Sequence, residues 1–111
     1  MERLSVLFVV DQITFLEVLS IPTLSAALKH AGHKVQLVEF GSGESKVLRQ
    51  IEADPPDVLA YSICSTEVDL YLSINNRLKS RTGAFSVFGG PHSTFFPDFV
   101  HQQGVDAICR G

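Results

Sequence analysis

The residues best suited to chemistry are small hydroxyls and glycines at two separate points of the chain. They are Ser62, Ser65 and Thr66 at the first point, and Gly89, Gly90 and His92 at the second. Hydroxyls donate and accept hydrogen bonds, and a glycine pair lets a flat or bulky group approach the backbone because no Cβ blocks it. A histidine beside them can bind a phosphate or an amide, or it can simply order its own turn. The glycine pair taken alone is equally typical of a tight turn, since Gly-Gly and Gly-Pro commonly punctuate loops.

Other polar residues give weaker signals. Asp11 follows an apolar run directly, where it can orient a ligand amide or cap a loop. Cys64 and Cys109 form no zinc or iron–sulfur pattern, so we predict no metal site and interpret them as reduced thiols near strand ends. The three remaining histidines lie at predicted helix ends, where the helix dipole favours them.

The hydrophobic pattern alternates between strands and helices. Strands are predicted at Leu4–Val10, Lys34–Phe40, Asp57–Ser62, Phe85–Phe88 and Asp106–Cys109. Helices are predicted around Ile21–Ala31, at Ser45–Ala53, after a Thr66 cap, and from Pro97 to a stop at Gly104. This alternation implies right-handed crossovers and a parallel sheet. We therefore predict a doubly wound, flavodoxin-like (Rossmann-like) α/β fold with strand order 2-1-3-4-5, in which Val35, Leu37 and also Val38 of the second strand face inward.

The predicted fold brings the candidate residues to one edge, because ligands of open α/β sheets bind beyond the carboxyl ends of the strands. Several ligand classes are excluded there. Residues 11–20 contain no glycine, which rules out a dinucleotide fingerprint and a P-loop. Neither the aspartate nor the lysine of a phospho-acceptor domain stands at the end of the third or fifth strand. No serine lies in a nucleophile elbow.

Composition indicates a small globular domain with no basic binding surface. The chain has 111 residues, 45% of them hydrophobic, and a net charge of −3. Nucleic acid and anionic membranes are therefore not expected partners, and no apolar run approaches the roughly 20 residues that span a bilayer. We expect one cytoplasmic domain over residues 1–111. Because the last predicted strand has no closing helix, we also expect the sequence to be cut before a further domain.

Several stretches resemble the B12-binding domains that precede radical SAM domains. They are Ile21–Glu39, Pro56–Ser62, Val87–Thr94 and Val105–Gly111, and they occur in the family's order. The first is similar to a family segment in which a proline is followed by an apolar helix, then by Gly-His, and then by a strand that ends in an acidic residue. The most specific is Val87-Phe-Gly-Gly-Pro-His-Ser-Thr94. Together the stretches cover nearly the whole chain.

The resemblance implies a cobalamin-binding module of a radical SAM enzyme, with methyl transfer or rearrangement at carbon as the two reactions it suggests. The cobalamin would lie against the carboxyl edge, with its nucleotide tail near Ser62, Ser65, Thr66, Gly89 and Gly90. S-adenosylmethionine and a 4Fe–4S cluster would belong to a C-terminal radical SAM domain of the same chain. With two cysteines and no Cys-x-x-x-Cys-x-x-Cys run, this fragment alone cannot catalyse that reaction.

One departure from the wider cobalamin-binding pattern bears on the cobalt. Methionine-synthase-type domains carry Asp-x-His-x-x-Gly after the first strand, whereas residues 11–16 here read Asp-Gln-Ile-Thr-Phe-Leu. The resemblance therefore implies base-off cobalamin without a histidine cobalt ligand. The alternative is a degenerate domain that binds no cobalamin and acts as a docking or substrate-shaping module. Ile13, Phe15 and Leu16 are apolar residues that could cover a corrin face or pack against the further domain. Phe95 and Phe96 could cap the pocket, or pack in the core under the fourth helix.

Overall fold

A parallel β-sheet organises the chain. The computed structural model describes residues 3–11, 24–63 and 65–109. Within these ranges the strands are β1 (Ser5–Val10), β2 (Lys34–Glu39), β3 (Val58–Ser62), β4 (Phe85–Gly89) and β5 (Ala107–Ile108). They form one sheet in the order β2-β1-β3-β4-β5, and every pairing is parallel. The predicted flavodoxin-like order is confirmed.

Helices connect the strands, as a parallel sheet requires. The described part of α1 covers residues 24–30, and α2 (Glu44–Ala53), α3 (Val68–Thr82) and α4 (Pro91–Phe95) follow. Short 3-10 helices occupy Phe40–Ser42, Ser65–Glu67 and Pro97–His101. Helix α3 ends at Gly83, whose φ of 64° suits glycine at a helix terminus.

Two predicted helix starts are wrong. The N-cap of α3 is Glu67, with no side-chain cap bond, because Thr66 lies inside the preceding 3-10 turn. The fourth helix begins at Pro91 and ends at Phe95, whereas the sequence favoured a start at Pro97. Pro97 instead opens a separate 3-10 helix, since proline fixes φ and has no N–H with which to continue a helix that precedes it.

One side of the sheet, here called the closed face, is fully covered by α2 and α3. Its strand residues Leu7, Val9, Leu59, Tyr61 and Phe88 are all buried in one cluster. Val47 and Ile51 of α2, Tyr71, Ile74 and Leu78 of α3, and Phe99 complete that cluster. This side of the sheet supplies most of the apolar burial of the described chain.

The opposite side, here called the half-open face, is covered mainly over β1. Val6, Phe8 and Val10 are buried there, and Leu28 of α1 packs against them. Leu37 and Phe85 are 45% and 50% exposed, and the remaining strand positions are half-buried. The expectation that Leu37 faces inward is therefore wrong. Side chains alternate along a strand, and the closed-face positions of this segment belong to Val38 and Phe40.

Polar contacts fix the short β5 strand to the rest of the sheet. The fully buried Asn75 donates through Nδ2 to the Gly104 carbonyl at 2.7 Å, and Ser86 Oγ donates to Asn75 Oδ1 at 2.6 Å. Asp106 pairs with Lys79 and accepts the Ser86 N–H at 2.8 Å. The Lys79 bond and the Ser86 N–H hold the pKa of the Asp106 carboxyl below its usual value.

Candidate functional site

The ends of β3 and β4 meet at the two clusters that the sequence singled out. Ser62 and Gly89 are direct partners across these strands. The Ile63 N–H donates to the Gly89 carbonyl at 3.0 Å, and the His92 N–H donates to the Ile63 carbonyl at 3.2 Å. These bonds hold the start of α4 against the end of β3. The structure thus brings Ser62, Gly89, Gly90 and the backbone of His92 together.

The two adjacent glycines differ in what a side chain would meet. At Gly90, φ is +91° and a Cβ would lie 2.8 Å from both Ile63 N and Ile63 O, so the turn itself requires glycine. At Gly89 the nearest atom to an added Cβ is Cys109 Cβ at 3.7 Å, an ordinary van der Waals contact. Room for a ligand against the backbone therefore lies at Gly89.

Small side chains surround Gly89 on the half-open face. We call this group the small-residue slot: Ala60, Ser62, Gly89, Ala107 and Cys109. The alternation of side chains and the register of β3, β4 and β5 place all of them on one face. On the same face the half-buried Val87 lies between Ala60 and Ala107, one side-chain row before Gly89. Ala60, Ser62 and Ala107 are half-buried and the thiol-bearing Cys109 is exposed.

Asp11 lies at the same edge, at the end of β1. Its N–H donates to Tyr71 Oη at 3.0 Å, and its carbonyl accepts the Gly41 N–H at 2.7 Å. Its side chain is half-exposed. The rest of that loop lies outside the described residues, including Ile13, Phe15 and Leu16, so Asp11 is its only predicted site residue with a described position.

The remaining predicted site residues lie further from the slot. The backbone of Ser65 belongs to the 3-10 turn before α3, and Thr66 in that turn is exposed. The His92 ring stacks on Phe96 at 5.0 Å and meets Phe99 edge-on at 4.9 Å, measured between ring centroids. Phe99 belongs to the closed-face cluster, so aromatic packing accounts for where the His92 ring lies.

An exposed aromatic pair follows the glycine turn. Phe95 and Phe96 are 76% and 55% exposed. Phe96 contacts His92, as described above, which leaves Phe95 as the more accessible ring. The expectation that this pair packs in the core under the fourth helix is therefore wrong, and its role as a cap for a bound group stays a prediction.

Two buried tyrosines on the closed face differ in how their hydroxyls are bonded. The Tyr61 ring stacks on Phe88 at 4.5 Å and meets the Tyr71 ring edge-on at 6.0 Å. Among the described residues, Tyr61 Oη has no hydrogen-bond partner, whereas Tyr71 Oη accepts the Asp11 N–H. Burial raises the pKa of the Tyr61 phenol, so it stays neutral.

Sequence reasoning missed three residues of this edge: Cys109, Tyr71 and Gly41. Cys109 was detectable in principle, because alternation and strand register place it beside Gly89 once the strand order is known. Tyr71 reads as an ordinary apolar position of α3, and Gly41 as a loop residue. No local sequence pattern connects either of them to Asp11. Asp11 and Tyr71, which share a hydrogen bond, are 60 residues apart in the sequence.

Comparison with known proteins gives one match. A family model described as B12 binding domain matches residues 14–111. Strands β2 to β5 and the small-residue slot lie within the matched range, whereas β1 and Asp11 precede it. Neither the curated proteins nor the solved structures gave a match. In the described parts of the chain, no helix is long and apolar enough to cross a membrane.

Proposed function

Because the chain belongs to the B12-binding domain family, we propose that it is a cobalamin-binding module that holds its cofactor at the carboxyl edge of the sheet. The observation that carries this proposal is the asymmetry between the two faces. Among the described residues, α2, α3 and Phe99 cover the closed face, whereas the half-open face carries the small-residue slot toward its carboxyl end. Cobalamin needs such a surface, because its nucleotide tail is bulky and partly flat.

The slot residues fit the tail by size and by chemistry. Gly89 allows close approach to the backbone, since nothing lies within 3.7 Å of the place where its Cβ would be. The Ser62 hydroxyl on the facing strand can donate to a tail oxygen. Ser65 and Thr66 of the 3-10 turn before α3 stay proposed tail contacts, and Gly90 keeps the turn after β4 tight. When bound, cobalamin supplies organocobalt chemistry, such as methyl transfer or rearrangement at carbon.

We propose that the cobalamin is base-off and has no histidine ligand to cobalt. Residues 11–16 contain no histidine. His92, the histidine nearest the slot in sequence and structure, has its ring packed against Phe96 and Phe99. Its role in our proposal is limited to a hydrogen bond with a cofactor phosphate or amide.

We also propose that the module works with a C-terminal radical SAM domain of the same protein. The similarity of Val87–Thr94 to the domains that precede radical SAM domains supports this partnership. That domain would hold S-adenosylmethionine and the 4Fe–4S cluster. The test is the natural full-length polypeptide, purified without oxygen. We expect bound iron and sulfide and reductive cleavage of S-adenosylmethionine, and a protein without iron would contradict this partnership.

The cofactor proposal is tested by a visible-absorption titration with methylcobalamin and hydroxocobalamin. The variant Gly89→Leu fills the slot, and Gly89→Ala is the matched control because a single Cβ fits there. We expect saturable binding with a base-off spectrum in the wild type and the alanine variant. The leucine variant should bind about tenfold more weakly or worse, because overlap with the ligand costs about 1–3 kcal/mol.

Alkylation of Cys109 gives an independent readout of where the ligand lies. Its exposed thiol lies beside Gly89, so a tail in the slot should slow its reaction with iodoacetamide, measured on the Cys109 peptide by mass spectrometry. Binding without protection of Cys109 would overturn the slot as the tail site. No binding by a folded wild-type domain would favour the alternative, a degenerate docking or substrate-shaping module.

A further inference from the structure

We infer that Tyr71 and Gly41 are positioning residues for the cofactor site and act through Asp11, an inference that rests on the proposed cobalamin function. They contact Asp11 from two different connections of the fold. Tyr71 belongs to α3, and Gly41 belongs to the turn between β2 and α2. Neither residue belongs to the small-residue slot.

Tyr71 carries a polar contact from the core to the edge of the sheet. Its side chain is fully buried in the closed-face cluster, so its ring has little freedom to move. Its hydroxyl accepts the Asp11 N–H at 3.0 Å, at the point where β1 ends. The first residue beyond β1 is therefore held by the core of the domain and not by a neighbouring strand.

Gly41 bonds the other backbone polar group of the same residue, its carbonyl. Its N–H donates to the Asp11 carbonyl at 2.7 Å. A Cβ at Gly41 would lie 2.5 Å from that carbonyl oxygen and 3.1 Å from Asp11 Oδ1. The close approach is possible only because residue 41 has no side chain, and it places the carboxylate directly over Gly41.

Both backbone groups of Asp11 are thus bonded, which restrains the backbone from which its half-exposed carboxylate extends. An ionised carboxylate only accepts hydrogen bonds. The ligand groups that match it at this edge are the primary amides on the periphery of a corrin ring. We therefore assign Asp11 to a corrin amide, with its geometry set by Tyr71 and Gly41.

The chain offers a matched control for the Tyr71 hydroxyl. Tyr61→Phe removes a phenol oxygen from the neighbouring ring, in the same buried cluster, where the oxygen has no partner among the described residues. Tyr71→Phe removes the oxygen that bonds Asp11. Gly41→Ala perturbs the same residue through the second contact.

The experiment measures two quantities on the folded domain. Amide hydrogen exchange at Asp11 is compared in the wild type, Tyr71→Phe and Tyr61→Phe. The methylcobalamin Kd is measured for these proteins, for Asp11→Ala and for the Asp11→Ala/Tyr71→Phe double variant. We expect faster Asp11 exchange and about fivefold weaker binding in Tyr71→Phe, and neither change in Tyr61→Phe, since one net hydrogen bond is worth about 1 kcal/mol.

The double variant separates positioning from a general structural effect. If Tyr71 acts through Asp11, the double variant should bind no more weakly than Asp11→Ala alone. Additive losses, or unchanged Asp11 exchange in Tyr71→Phe, would overturn the inference while leaving cobalamin binding intact. A folded wild type that binds no cobalamin would instead refute the proposed function, and the positioning role with it. Gly41→Ala should repeat the faster exchange and weaker binding.

Discussion

Replacing Gly90 with alanine should destabilise the fold far more than the same change at its neighbour Gly89. Gly90 has a φ of +91° and a ψ of −178°, a region essentially restricted to glycine. The added methyl group would also lie 2.8 Å from two backbone atoms of Ile63. Backbone atoms cannot rotate away as a side chain can, so β3 and the turn would have to separate.

The magnitude follows from these two terms. Forcing alanine into this backbone conformation costs about 1–3 kcal/mol, and the overlap with Ile63 adds about 1–3 kcal/mol. We therefore expect Gly90→Ala to lower the free energy of unfolding by about 2–6 kcal/mol. At Gly89 the methyl group makes an ordinary contact at 3.7 Å, so the change there should stay within about 1 kcal/mol of the wild type.

Urea unfolding followed by circular dichroism measures these differences. A third variant, Gly32→Ala, separates the two terms, because Gly32 has a φ of +94° with no atom within 4 Å of an added Cβ. Gly32→Ala should show the conformational cost without the overlap. Its loss in free energy of unfolding should therefore lie between those of Gly89→Ala and Gly90→Ala. A Gly90→Ala variant that is as stable as Gly89→Ala would refute the reasoning and with it the separation of the two glycine roles.

Two further predictions concern the contacts that hold β5. The pKa of Asp106 is lowered in the folded state, so its stabilising effect should be complete above its unfolded pKa of about 3.9 and disappear as pH falls through the lower folded value. Asp106→Asn should therefore be less stable than the wild type at pH 7, with a difference that narrows below about pH 4 in urea titrations. A difference independent of pH would contradict the ion pair with Lys79. Asn75→Ala leaves the Ser86 hydroxyl and the Gly104 carbonyl without their buried partner, and should cost about 2–4 kcal/mol by the same assay. A loss below about 1 kcal/mol would show that water replaces the amide.

The sheet and its order followed from patterns that are local in sequence. The apolar run Leu4–Val10 is typical of a strand buried on both faces, and β1 occupies Ser5–Val10. Each pair of successive strands is separated by a segment with helical periodicity, and strands connected through helices usually lie parallel in one sheet. The fourth helix was misplaced because prolines at both 91 and 97 can open a helix, and only the contacts of the turn with β3 select the first.

Which face a residue occupies depends on more than its hydrophobicity. Leu37 and Val38 are both apolar neighbours in β2, yet Val38 is buried and Leu37 is 45% exposed. Alternation determines that they face opposite sides, but only the packing of α2 and α3 determines which side is filled. The same holds at the site, where Gly89 and Gly90 are the same residue type but have different surroundings, which only the structure shows.

The sequence by itself determined the fold class and the edge at which the candidate residues meet, because both depend on periodicity and on the ends of strands. The strand order was predicted from the chain length, and the pairing of the strands in the sheet confirmed it. The tertiary structure alone decided which glycine leaves room, that Cys109 lies beside it, and that Tyr71 and Gly41 hold Asp11. Those facts are distances between segments far apart in the chain. Such distances are fixed by how helices pack on a sheet, and no local pattern of residues encodes them.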